Sequence, residues 1–311
     1  MSAAAKQKVI VIVGPTAVGK TKLSIELAKM FNGEIISGDS MQVYKGMDIG
    51  TAKVTKEEQE GIPHYMLDIK EPQESFSVAE FQTRVREHIA DIAGRGKLPI
   101  IVGGTGLYIQ AALYDYQFTK NRGDQEYREK MEAFVASEGS DALFERLKQV
   151  DPESASRIHP NNIRRVIRAL EIFETTGRTM SESLEAQAHE LLYDALFIGL
   201  TMEREKLYKR IDMRVDMMMK QGLLEEVSHL YETGIRDCQS IQAIGYKELY
   251  AYLENRISLK EAVNVLKTNS RRYAKRQLTW FRNKEHVMWF DVTEGPKIQE
   301  ISHKVEGLLK L

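Results

Sequence analysis

The sequence predicts an α/β protein: a doubly wound parallel sheet with a phosphate-binding loop, an all-helical insertion and a helical C-terminal region. Three observations carry this expectation. Short apolar runs recur at residues 9–13, 98–102 and 195–200, each reading as a strand buried on both faces. Stretches with helical apolar stripes alternate with the early runs, the rhythm of a parallel sheet. Between residues 124 and about 188 the strand signal disappears and the chain reads as polar helix.

Residues 9–13 read Val-Ile-Val-Ile-Val and lead directly into Gly14, Pro15, Thr16, Ala17, Val18, Gly19, Lys20 and Thr21. This is G-x-x-x-x-G-K-[ST] in its strand–loop–helix setting, and it makes the sheet nucleotide-kinase-like. Glycines let the backbone wrap an anion with its N–H groups inward. The following helix adds a partial positive charge of about half a unit at its N-terminus. Lys20 brings a full charge to the terminal phosphate, and Thr21 is a candidate ligand for Mg²⁺. The helix runs to Met30, with Leu23, Leu27 and Met30 on one stripe. The pattern marks a phosphate chain as ligand without choosing ATP.

Glu34-Ile35-Ile36-Ser37 is a second strand, ending in Gly38, Asp39 and Ser40; residues 64–69 form a third strand or an extended segment. Ser77-x-x-Glu80 is a capping box. It opens a helix with the stripe Val78, Phe81, Val85, Ile89 and Ile92, which Gly94 and Gly96 end. The run 98–102 closes on Gly103-Gly104-Thr105-Gly106. Ligands of such sheets bind at the carboxyl ends of the strands, where the phosphate loop, Asp39 and Thr105 all fall. The expected domains are residues 1–118 (first part of the core), 119–192 (the insertion) and 193–311 (the rest of the core with helical C-terminal region). Within the last, residues 195–200 rejoin the sheet and a helix spans 204–221 before Gly222. Two or three more helices reach residue 284, and an edge strand at 287–290 precedes a terminal helix.

Charged residues make up 29 % of the chain, and no apolar run approaches the roughly 20 residues of a membrane span. A soluble protein with no membrane contact is expected. The lone Cys238 excludes an internal disulfide framework and a cysteine zinc site, and it fits a reducing cytoplasm. A net charge of −1 excludes a general DNA coater, so any nucleic-acid surface must be a local patch.

Asp39 reads as a Mg²⁺ ligand, as a general base, or as a turn residue capping the Ser40 or Met41 amide. No Asp follows the run 98–102, which argues against an ATPase. The glycine-rich turn after it suits either a tight turn with positive φ or the close approach of another molecule. Arg210 and Arg214, four apart on one helix, either close over a phosphate chain or form a solvated face with Asp212 and Asp216; Leu207, Ile211 and Val215 are core. In the insertion Ile163, Val166, Ile167 and Leu170 form a buried stripe, and Arg164, Arg165 and Arg168 lie off it, placed to track a nucleic-acid backbone. Residues 270–284 hold six basic residues, Lys275 and Arg276 among them, and no acid, interleaved with Tyr273, Trp280 and Phe281. That composition suits RNA, or a basic helix whose aromatics are core.

Taken with the phosphate loop, four further stretches resemble the tRNA dimethylallyltransferases (tRNA isopentenyltransferases). They are Asp39-Ser40-Met41-Gln42 with Tyr44-Lys45-Gly46-Met47-Asp48-Ile49-Gly50-Thr51-Ala52-Lys53; Val102-Gly103-Gly104-Thr105-Gly106-Leu107-Tyr108; Ile158-His159-Pro160-Asn161-Asn162-Ile163-Arg164-Arg165; and Gln242-Ala243-Ile244-Gly245-Tyr246-Lys247-Glu248. The resemblance implies transfer of a dimethylallyl group from dimethylallyl diphosphate to N6 of adenosine 37 in tRNA. It implies that residues 14–21 hold the donor diphosphate with Mg²⁺ assisting, and that Arg214 engages it with Arg210 one turn earlier. Asp39 then matches the general base, and Thr105 matches a contact of the flipped adenine. Asp39, Ser40, Met41, Gln42 and the segment Ile163, Arg164, Arg165, Val166, Ile167, Arg168 match tRNA-contacting positions, and the insertion matches a domain that grips the anticodon stem. The resemblance implies a monomer, and the lack of a Cys/His zinc finger after the core points to the short bacterial form. A small-molecule kinase of the same lineage explains the phosphate loop, Asp39 and the Arg helix, but not the insertion or the basic stretch. A non-catalytic RNA-binding NTPase switch is disfavoured by the missing Asp.

Overall fold

The computed structural model describes residues 6–117, 124–185, 190–283 and 286–309. The chain forms two compact units, one made of the chain up to Tyr114 and from Leu191 onward, the other spanning Asp115–Glu190. Among the described residues no helix is long and apolar enough to cross a membrane.

The first unit is built on six strands: β1 (Lys8–Val13), β2 (Gly33–Ser37), β3 (His64–Tyr65), β4 (Leu98–Gly103), β5 (Asp194–Thr201) and β6 (Val287–Asp291). Their order is β3-β2-β4-β1-β5-β6, and every pairing is parallel. β1 therefore lies in the middle, between β4 and β5, and its loop opens at the centre of the carboxyl edge. Alternation along β1 divides the core in two. Val9, Val11 and Val13 face one layer, whereas Ile10 and Ile12 face the other.

The helices of this unit are α1 (Lys20–Met30), α2 (Val78–Gly94) and α3 (Gly106–Leu113), and after the second unit α8 (Arg204–Lys220), α9 (Leu223–Glu232), α10 (Tyr246–Leu253), α11 (Leu259–Arg282) and α12 (Ile298–Leu309), with a 3-10 turn at Ser240–Gln242. Ser77 Oγ accepts from the Glu80 amide at 3.1 Å, so the expected cap forms. The Glu80 carboxylate pairs with Arg84 and Lys70. Two expectations need correction. Met30 is 51 % exposed, because the stripe of α1 ends with Leu27. The third strand is only two residues long, because Met66 and Asp68 adopt left-handed φ values of 65° and 53° that break the extended run.

The second unit is all helical: α4 (Gln125–Val150), α5 (Pro152–Arg157), α6 (Ile163–Thr176) and α7 (Met180–Glu185). α4 bends at Gly139, whose φ is 88°. Its core joins Met131, Leu143 and Leu147 of α4 to Val166, Ile167 and Leu170 of α6. Buried Asp151 caps α5 through the Ser154 amide at 2.9 Å and ties in α7 through the Ser181 amide at 3.0 Å. Buried Glu171 binds Arg128 of α4 and Arg168 of α6 at 2.8 and 2.6 Å.

Candidate functional site

The phosphate loop curls back at the end of β1 because Ala17 and Gly19 both take left-handed conformations, with φ of 64° and 108°. Lys20 then opens α1. Its Nζ donates to the carbonyls of Gly14 and Pro15 at 2.9 and 2.8 Å. Arg214 arrives from α8, and its Nη1 donates to Thr16 Oγ1 at 3.2 Å. Asp39 arrives from the loop after β2. Its Oδ1 accepts from the Met41 amide at 2.8 Å and from the Gln42 amide at 3.4 Å. The turn-capping reading of Asp39 is thus realised, and it orients the carboxylate.

These residues meet in a cleft. A cavity of about 100 Å³ is lined by Thr16, Lys20, Thr21, Asp39, Arg214 and Tyr273. A second, of about 300 Å³, shares Thr16, Asp39, Arg214 and Tyr273 with it and has an apolar wall from Ile211, Val215, Met218 and Leu266. Asp39, Arg214 and Tyr273 therefore stand where the two cavities join. Burial, helped by the Arg214 charge, pulls Lys20 down to about 7, against the pull of Asp39. Burial pushes the Asp39 carboxyl above its ordinary range, although the Met41 and Gln42 amides, Lys20 and Arg214 oppose the rise. Burial, then the Asp39 charge, pushes Tyr273 up to about 12.

Other expected site residues lie apart. Arg210 is exposed, its guanidinium 3.9 Å from the Met202 sulfur, and it borders a separate cavity with Val18, Gly19, Lys22 and Lys297. It does not join Arg214, because one helical turn carries a side chain about 6 Å along the axis to different neighbours. Asp212 and Asp216 pair with Arg271 and Lys267 of α11, so the solvated-face reading of the Arg pair fails as well. Thr105 sits just beyond Gly103 and Gly104, which line the first cavity, and its Oγ1 is buried on the side that Tyr273 faces. Gly103, Gly104 and Gly106 have no positive φ, so the tight-turn explanation of this segment is incorrect.

Ser40 and Met41 line the second cavity. The Gln42 side chain braces its own loop, accepting from Ser37 Oγ at 2.8 Å and donating to the Thr51 and Ala52 carbonyls at 3.2 and 3.3 Å. On α6, Arg164 and Arg165 are exposed and Ile163 is half-buried. Val166 and Ile167 are 1 % and 3 % exposed core residues with no surface to offer RNA, and Arg168 is paired to Glu171. Lys275 and Arg276 are exposed on α11, with the Arg276 guanidinium 5.6 Å from the Tyr273 ring centroid.

Sequence reasoning missed Tyr273 and Gln277 as site residues. Gln277 Oε1 accepts from the Thr16 amide at 2.9 Å. Their four-residue spacing within a basic stretch is the available signal: α11 turns Tyr273 and Gln277 to the cleft, sets Arg276 on the wall of the second cavity and leaves Lys275 exposed. Among the described residues no group of three or more His, Cys, Asp or Glu converges on a metal position. The oxygen donors that line the first cavity, Thr21 and Asp39 among them, are of the kind a hard cation such as Mg²⁺ accepts.

Residues 42–284 match the family model described as IPP transferase. The chain is 70 % identical over 306 residues to a tRNA dimethylallyltransferase of Bacillus cereus (strain Q1), covering 98 % of this chain and 96 % of that one. It is similar to the full-length tRNA isopentenylpyrophosphate transferase of Bacillus halodurans, with 56 % identity, a TM-score of 0.76 and coverage of 98 % and 97 %. A eukaryotic dimethylallyltransferase acting on tRNA superposes with a TM-score of 0.82 at 35 % identity, covering 98 % of this chain and 80 % of that one.

Proposed function

This chain belongs to the IPP transferase family, and from that premise we propose that it transfers a dimethylallyl group from dimethylallyl diphosphate to N6 of adenosine 37 in tRNA. The observation that carries the reading is the convergence of Arg214 and Asp39 where two cavities join, with Lys20 beside them in the first. The first cavity, floored by the phosphate loop, takes the donor diphosphate, and the target base enters from the second. A base in an anticodon loop must leave its stack to be reached, at a cost of about a few kcal/mol.

The C1–O bond of the donor breaks, and its electron pair leaves with diphosphate. Lys20, Arg214 and the loop amides stabilise that growing charge. The N6 lone pair forms the new C–N bond, and the N6 proton passes to Asp39. The amides on Oδ1 hold the carboxylate in place, and its raised proton affinity makes it a better base than an exposed aspartate. Thr21 would help hold Mg²⁺ beside the diphosphate, and the ion would supply further charge neutralisation. The exposed Arg164, Arg165, Lys275 and Arg276 contact the tRNA backbone.

Incubation with unmodified tRNA, labelled dimethylallyl diphosphate and Mg²⁺, followed by digestion, should place label on adenosine. Label remaining on the donor, with ATP-dependent phosphorylation of a metabolite instead, favours the kinase reading. Asp39→Asn is expected to slow transfer by about 10²–10⁴-fold while pyrophosphate binding survives. Loss of that binding would assign Asp39 to the metal or the diphosphate.

A further inference from the structure

Helix α11 lies along the glycine-rich turn that follows β4. Three of its side chains, spaced four and three residues apart and so on one face, meet the turn. Tyr273 neighbours Thr105, Gln277 reaches Gly104, and Trp280 covers Gly106. A Cβ on Gly104 would lie 1.8 Å from Gln277 Nε2, and one on Gly106 2.1 Å from the Trp280 ring. Neither glycine has a left-handed φ. These positions are glycine because the helix side chains press so close, and the approaching molecule is the chain itself.

Gln277 is 4 % exposed, and its Oε1 holds the Thr16 amide at 2.9 Å. Thr16 Oγ1 in turn holds Arg214 at 3.2 Å. One buried amide side chain thus joins three parts of the site: the glycine turn, the phosphate loop and, through Thr16, the arginine of α8.

We infer that Gln277 is a positioning residue for prenyl transfer: seated by Gly104, it fixes the Thr16 end of the phosphate loop, and with it Arg214, in the arrangement that receives the diphosphate. The inference rests on reading this site as a diphosphate cradle. Gln277 also lines the first cavity, but the role assigned to it is exerted on the Thr16 amide rather than on the reacting atoms. Its removal leaves the Thr16 N–H without its acceptor, and a donor stripped of its partner costs more than the bond itself contributed. The loop then shifts to satisfy that amide and carries Thr16 away from Arg214.

The test is a thermodynamic cycle on the full chain, read with inorganic pyrophosphate. Gln277→Ala removes the tie, and Gly104→Ala expels the same side chain from the other side. Each is expected to weaken pyrophosphate binding and raise KM for dimethylallyl diphosphate by about tenfold, with KM for tRNA unchanged. With Gln277 truncated, the Gly104→Ala methyl meets Gly14 O at 3.5 Å, an ordinary contact. The double variant should therefore bind pyrophosphate as Gln277→Ala does. Additive losses, or unaltered pyrophosphate binding in Gln277→Ala, would overturn the assignment. If Gly104→Ala alone does not fold, rescue of folding by Gln277→Ala supports the seat, and failure to rescue refutes it. Transfer by the wild type is measured alongside. Its absence defeats the reading of the site, whereas wild-type transfer with an additive cycle defeats only the role of Gln277.

Discussion

Burial and the neighbouring Arg214 guanidinium pull Lys20 to about 7, far below the 10.5 of a free lysine. Between those two values the unfolded chain binds a proton that the folded enzyme does not, so stability rises with pH across that window. Below pH 7 the cost of the buried charge is present in full. Lys20→Met is therefore expected to raise the melting temperature of the substrate-free enzyme at pH 6 by about 2–4 °C, while abolishing pyrophosphate binding. The same shift predicts proton uptake. At pH 8 Lys20 is mostly neutral, and an arriving diphosphate restores its charge, taking up about one proton per site. Calorimetric titrations of pyrophosphate in buffers of different ionisation enthalpy measure that number; heats independent of buffer would show that Lys20 is already charged. Lys20 itself is legible in the sequence, because a lysine in G-x-x-x-x-G-K-T has one place to go. Its depressed proton affinity is not, because it comes from burial and from Arg214, which lies far along the chain.

At the scale of elements, the strands and most helices were readable because each carries its own periodicity. The buried β1 and β4 runs are apolar throughout, and the α2 stripe buries Phe81, Val85, Ile89 and Ile92 as its spacing requires. What periodicity could not show is how elements are pinned together. Glu34 is a charged residue inside an apolar strand, and it is 1 % exposed. The end of α2 brings Arg95 onto it with bonds of 2.7 and 2.6 Å, and Lys97 and the Tyr65 hydroxyl add bonds of 2.6 and 2.7 Å. The Arg95 hydrogen bonds, then those of Lys97 and Tyr65, outweigh burial and hold its carboxyl at about 2. A depressed carboxyl contributes its stability above the ordinary value of 4.5 and loses it as pH falls from there towards 2. Glu34→Gln should cost about 2–3 kcal/mol at pH 7, discounted because Arg95 and Lys97 are partly solvated. In urea titrations the gap between variant and wild type should narrow below pH 4.5; a gap constant with pH would mean that the loss is one of packing.

For the whole molecule, charge pattern and packing must be read together. Arg164, Arg165 and Arg168 are indistinguishable as sequence, yet Arg168 is committed to the buried Glu171 while the other two face solvent. Burial raises the Glu171 carboxyl, but the Arg168 and Arg128 hydrogen bonds bring it below its ordinary value. Arg164→Ala with Arg165→Ala should weaken tRNA binding and reduce the slope of log K against log salt by about 1–2, with melting unchanged. Arg168→Ala should instead lower the melting temperature, because it leaves Glu171 short of a partner. An unchanged salt slope in the double variant would make Arg164 and Arg165 ordinary solvated residues. By itself the sequence determined the class of fold, the phosphate loop and the family, because these rest on contiguous residues whose local geometry follows from their order. Only the tertiary structure decided that Arg214 and not Arg210 bonds Thr16 and shares the cleft with Lys20 and Asp39, that Val166 and Ile167 are core, and that Gln277 holds Thr16. Those outcomes depend on how α6, α8 and α11 pack, and one turn of helix is enough to send a side chain into a cleft or away from it.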